Sequence, residues 1–139
     1  LRTLSVRLER HQKNAMEVAS WLMRRDEVER VLYPALPTDK GHALWKRDFK
    51  GASGLFSVVL KEEFSRRTFA RMLDSFRLFP IGASWGGYES LCLPVDLKKI
   101  RTVSPVEFNG YILRLHIGLE NTGDLIEDLQ GGLKRLSAS

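Results

Sequence analysis

Leu1, Leu4, Leu8, His11, Ala15, Val18 and Leu22 follow a strict alternation of three- and four-residue steps. That spacing lays one apolar stripe along a single long amphipathic helix. Such a helix gains most of its stability from whatever covers its stripe, so the chain must supply a second layer for it. His11 sits inside the stripe. A histidine there reads as a partly buried side chain bonded to a neighbour, with a ligand or acid–base role as the alternative.

The second layer is legible in short strands separated by helices. "VERVLYP" (28–34) reads as a short strand, and "YPALPTDKG" as a loop stiffened by Pro34 and Pro37. Pro34 to Pro37 also fits the PxxP pattern of SH3 ligands, but within a globular domain such a run is a connector. Thr38 or Asp39 is placed to cap a short helix carrying Leu44, Trp45 and Phe49. "GLFSVVL" (54–60) is a buried-strand run. "SRRTFARMLDSF" (65–76) is predicted as a helix capped by Ser65, with Phe69, Met72, Leu73 and Phe76 inward. "RLFPIG" and "ESLCLP" read as short strands flanking a glycine loop. "YILRLHIG" (111–118) alternates, with Tyr111, Leu113, Leu115 and Ile117 on one face and Ile112, Arg114 and His116 on the other. The closing helix is capped by Asn121 or Thr122, with acidic residues in its first turns and Lys134 and Arg135 near its end; it turns Leu125, Ile126, Leu129, Leu133 and Leu136 to the core, and its "LSAS" end is expected to fray. The fold class expected is α+β: a small mixed or antiparallel sheet with helices packed on it.

The chain has 139 residues, the length of one domain, with 43% hydrophobic and 28% charged residues. No apolar run reaches the roughly 18–20 residues of a membrane span, and no signal-peptide pattern opens the chain. Cys92 is a single cysteine, which fits a reducing compartment and a cytoplasmic location. The net charge is +5, but basic and acidic residues alternate along the chain, which reads as a solvated surface and not as a nucleic-acid interface. The chain opens at Leu1 already in helical pattern, as expected of a piece of a longer protein.

Gly82-Ala83-Ser84-Trp85-Gly86 fits G-x-S-x-G, the nucleophile elbow of serine hydrolases, and Ser84, Asp96 and His116 stand in the matching order. An elbow needs a helix directly after the serine, and Gly86-Gly87 is a poor helix start. His11, His42 and His116 lie far apart in sequence and Cys92 has no partner at ligand spacing, so no metal set is predicted. Arg114 lies mid-strand in an apolar run. Either its face is solvated, or it points into a cleft and grips a carboxylate with its planar fork. Glycine-loop amides could serve the same anion.

"SWGGYESL" (84–91) and "LRLHIGLEN" (113–121) together resemble the C-terminal domain of the pyridoxal-phosphate (PLP) dependent enzymes of cysteine and methionine metabolism. The likeness continues in "LRTLSVRLERHQKNAMEVASWL", in "VLYPALPTDKGHALWKRDFKGASGLFSV" and in "DLIEDLQGGLKRL", and so covers the whole chain. It implies the small domain of a fold-type I enzyme over 1–139, with 1–25 as the long helix that leaves the cofactor domain. Trp85 is similar to the carbon–sulfur β-lyase branch, where γ-synthases and γ-lyases carry leucine. The implied activity is α,β-elimination of L-cystathionine to homocysteine, pyruvate and ammonia, with γ-type relatives or a non-catalytic binding module as alternatives. The resemblance gives Arg114 the substrate α-carboxylate, places Ser84 beside the Schiff-base lysine, and gives the Trp85 backbone N–H a share in the carboxylate hold. Ala83 departs from the family, which carries tyrosine or glutamate at this substrate-specificity position. The Schiff-base lysine, the aspartate for the ring nitrogen and the phosphate loop belong to an N-terminal domain. Lys98 and Lys99 are expected in a loop without that context, so the chain alone is not expected to bind PLP or catalyse. The intact enzyme is expected to be a homotetramer acting on a small amino acid.

Overall fold

The computed structural model describes residues 2–61, 64–103 and 108–137. Its elements in chain order are α1 (Leu4–Leu22), β1 (Val28–Leu32), α2 (His42–Asp48), β2 (Leu55–Leu60), α3 (Arg66–Ser75), β3 (Leu91–Val95), α4 (Leu97–Ile100), β4 (Ile112–His116) and α5 (Thr122–Ser137). The strands make one sheet in the order β1-β2-β4-β3, with every neighbouring pair antiparallel. The last strand in sequence is therefore central, with ladder partners on both sides.

The pleat divides the sheet into two faces. Phe56, Leu115 and Cys92 stand side by side across β2, β4 and β3, with Val58 beside Leu113. These side chains merge with Ala15, Val18 and Leu22 of α1 and with Leu125, Leu129 and Leu133 of α5 into one core. Full burial of leucines such as Leu115 and Leu125 contributes about 1.5–3 kcal/mol each. α1 packs on α5, β1 and β2, and α3 packs on α5. The opposite face carries the rows Ser57–Arg114–Leu93 and Leu55–His116–Leu91.

The helix signals hold where a cap is local. Ser65 Oγ accepts the Thr68 N–H at 3.2 Å, and Asn121 Oδ1 accepts the Gly123 N–H at 2.8 Å. Asp124 lies in the first turn of α5 and Lys134 and Arg135 in its last, as the helix dipole favours.

Several expectations are corrected. Neither Thr38 nor Asp39 caps α2, whose N-cap is Gly41. Asp39 instead closes the proline turn, accepting from the Tyr33 N–H at 2.9 Å and the Gly41 N–H at 2.7 Å. "RLFPIG" forms no strand; it contributes a single bridge between Ile81 and Cys92. Lys98 and Lys99 lie in the one-turn helix α4. α1 buries its stripe from His11 onward, while Leu4 and Leu8 remain 39% exposed. The helix α5 runs through Ser137, and Ala138 and Ser139 lie outside the described residues. Among the described residues, no helix is long and apolar enough to cross a membrane.

Candidate substrate-orienting site

The loop "GASWGGYES" leaves the sheet edge and returns to it within nine residues. Its start is tied to β3, where the Gly82 N–H donates to the Cys92 carbonyl at 2.9 Å and the Cys92 N–H to the Pro80 carbonyl at 3.0 Å. Its end is tied to the segment after β4. The Ser90 N–H and hydroxyl donate to the Glu120 carboxylate at 2.7 and 2.8 Å, and the Leu119 N–H donates to the Tyr88 carbonyl at 2.7 Å. Asn14 of α1 steadies that segment by donating to the Gly118 and Glu120 carbonyls.

Between these ties, β4 itself reaches the loop. Arg114 Nη2 donates to the Ala83 carbonyl at 2.7 Å. Arg114 is half-buried, between Ser57 and Leu93 on the face away from the helical core. This bond uses one of the five N–H groups of a guanidinium, leaving a planar fork with donors for a carboxylate. One turn of backbone further on, Gly86 has φ +84°, a conformation that favours glycine. Ser84 is exposed and Trp85 is 62% exposed. The structure thus brings Ala83, Ser84, Trp85 and Arg114 into one neighbourhood although 31 residues separate Arg114 from Ala83.

The face that carries Arg114 is not simply solvated, since Ile112 and His116 beside it are buried. The hydrolase constellation does not assemble. No helix follows Ser84, and Asp96 borders the Val95–Ile112 end of the ladder while His116 stands at the Leu91 end, about 13 Å of strand away.

Two histidines far apart in sequence are neighbours in the fold. The ring centroids of His11 and His116 are 5.0 Å apart, and both side chains are buried. His11 Nδ1 donates to the Ile117 carbonyl at 2.7 Å, the neighbour bond expected of it. Burial holds His116 below the ordinary histidine value of 6.5, with His11 and Arg114 pushing the same way and the Gly87 carbonyl and Glu120 opposing. Periodicity carried no sign of this pair, because it reports which face a residue occupies and not which faces meet. Among the described residues, no three or more His, Cys, Asp or Glu side chains are grouped to hold a metal ion.

The model for the Cys/Met metabolism PLP-dependent enzymes matches residues 1–134. The chain belongs to this family. It is 50% identical over 139 residues to "Cystathionine beta-lyase MetC" of Escherichia coli K12, covering 98% of this chain and 35% of that protein. It is 49% identical over 137 residues to "L-alanine/L-glutamate racemase" of Wolbachia pipientis wMel, covering 98% and 34%. Among solved structures, cystathionine gamma synthase from Xanthomonas oryzae pv. oryzae, in complex with aminoacrylate and cysteine, superposes with a TM-score of 0.84 at 35% identity. That match covers 99% of this chain and 36% of the synthase. The chain therefore spans about 35% of the length of the curated relatives it matches.

The family's cofactor requires a lysine for its aldehyde, an acid opposite its ring nitrogen and a nest of donors for its phosphate. Each lysine side chain that the structure describes is exposed. Lys99, 84% exposed, pairs with Asp96 at 3.4 Å on the surface of α4. Among the described residues, no lysine is enclosed to meet the aldehyde. Nor does the cleft of about 560 Å³ between α3 and the Ile112 end of β4 join the site, for it contains none of Ser84, Trp85 and Arg114.

Proposed function

We propose that residues 1–139 are the C-terminal, substrate-orienting domain of a PLP-dependent carbon–sulfur lyase that eliminates homocysteine from L-cystathionine, leaving pyruvate and ammonia. PLP would be held by a part of the enzyme outside this chain, and the chain alone would be inactive. The observation that carries the reading is the Arg114 fork bound to the carbonyl of Ala83, directly before Ser84 and Trp85. Arg114 takes the substrate α-carboxylate bidentately, and the backbone N–H of Trp85 adds a donor. Fixing the carboxylate fixes the rotation of the substrate about its Cα, and so which bond is presented for cleavage. Ser84 lies beside that position, and Ala83 faces the distal part of the substrate. The family resemblance further supports a cytoplasmic homotetramer.

In the intact enzyme, Arg114→Ala should raise KM strongly and reduce kcat/KM by roughly 2–4 kcal/mol, the loss of a charge-paired anchor. Unchanged steady-state kinetics on L-cystathionine would remove Arg114 from the site. A second reading is favoured by the racemase among the relatives and by the cystathionine gamma synthase fold match. Both chemistries need the same hold on a carboxylate. Release of homocysteine and pyruvate supports the lyase. Inversion of L-alanine, or γ-replacement, with no pyruvate from cystathionine, assigns the site to one of those relatives.

A further inference from the structure

The Gly86 amide and the Gly87 carbonyl both approach His116 Nε2, at 3.2 and 3.3 Å. One nitrogen cannot serve both at once, since an amide requires a lone pair and a carbonyl requires a proton. An Nε2 that holds the Gly86 amide carries the lone pair, and the ring proton then sits on Nδ1. His11 takes the same tautomer: its Nδ1 must donate to the Ile117 carbonyl, which leaves Nε2 as the acceptor. Among the described residues, His116 Nδ1 and His11 Nε2 are both buried without a hydrogen-bond partner. In that tautomer one is a donor and the other an acceptor, in rings 5.0 Å apart. Gly54 lies against this pair: a Cβ there would run into the Ile117 carbonyl and would also lie 3.2 Å from His116 Cε1 and 3.3 Å from Nδ1.

We infer that His116, backed by His11, is a positioning residue: its unprotonated Nε2 holds the Gly86 amide and so sets the loop of Ser84 and Trp85 against Arg114. The inference rests on the carboxylate reading of Arg114 and extends it to what holds the loop in register. It is tested in the intact holoenzyme with His116→Leu, which deletes the acceptor, and His116→Gln, whose amide oxygen restores one. Amide hydrogen exchange over residues 82–91 should quicken about tenfold in the leucine variant and return toward wild type in the glutamine variant, with β2 unchanged. KM for L-cystathionine should rise about 10- to 100-fold in His116→Leu, with kcat changing less, and recover in His116→Gln. Unchanged exchange at 82–91 overturns the hold on the loop, and faster exchange with an unchanged KM overturns the positioning role. Should His116→Leu not fold, His11→Asn keeps a donor for Ile117 and removes the ring that packs against His116. It must then quicken exchange at 82–91, and wild-type exchange there overturns the inference. The exchange readout needs no substrate, so failure of the Arg114 reading, seen as an unchanged KM in Arg114→Ala, stays distinct from failure of this one.

Discussion

Cys92 shows how environment decides what a reactive side chain does. It has no exposed surface, and its Sγ–H points to the Phe79 carbonyl at 3.1 Å. Burial pushes its thiol up to about 11, with the charge of Asp128 adding to the effect. At neutral pH the thiol is protonated and a poor nucleophile. Iodoacetamide at about pH 8 should therefore leave Cys92 of the folded intact enzyme unmodified and label it after denaturation. Mass spectrometry of the peptide decides this, and rapid labelling of the native protein would contradict the burial described. Asp128 itself is occupied structurally, accepting the Arg77 N–H at 3.1 and 3.0 Å and the Leu78 N–H at 2.8 Å. Arg114 differs from both. Its side chain could be read from sequence as a surface charge or an anion clamp, and only the Ala83 contact, which no local pattern encodes, brings it to the loop.

At the level of elements, local signals translated well and non-local ones did not. Ser65 and Asn121 were legible as caps because a cap and its amides lie within three residues of each other. Removing the Asn121 acceptor should cost about 1 kcal/mol, so Asn121→Ala should lower the denaturation midpoint of the intact enzyme while Asn121→Asp largely preserves it. Equal loss in both variants would show that Asn121 stabilises by some route other than its side-chain oxygen. Asp39 misleads for the same physical reason that Asn121 does not: an acid after a proline loop can close a turn as well as open a helix, and Tyr33 and Gly41 offered it nearer amides. The alternation of β4 predicted its faces correctly, yet not that both would be covered. Leu113 and Leu115 join the helical core, and on the other face His116 meets His11 of α1, more than a hundred residues away in sequence.

For the whole molecule, the neutral His116 links stability to pH. Its value in the fold lies below the 6.5 of an ordinary histidine. Above 6.5 both folded and unfolded states are neutral there, and the group adds no pH dependence. As pH falls below 6.5 the unfolded chain takes up the proton first, so stability declines until the folded value is passed. The intact enzyme should melt at a lower temperature at about pH 5.5 than at about pH 7.5, and the difference should shrink in His116→Gln. A variant that keeps the full decline would assign it to other groups. The outline of the sheet has a consequence for assembly. One border is β3, which carries Pro94 and has no amide to offer at that position. The other is β1, whose register is broken between Val28 and Arg30. A strand approaching from either side meets an interrupted ladder, so neither border invites cross-chain pairing. Surfaces for a further copy or a neighbouring domain are then to be sought on the helices and loops of the described residues, not on the sheet borders.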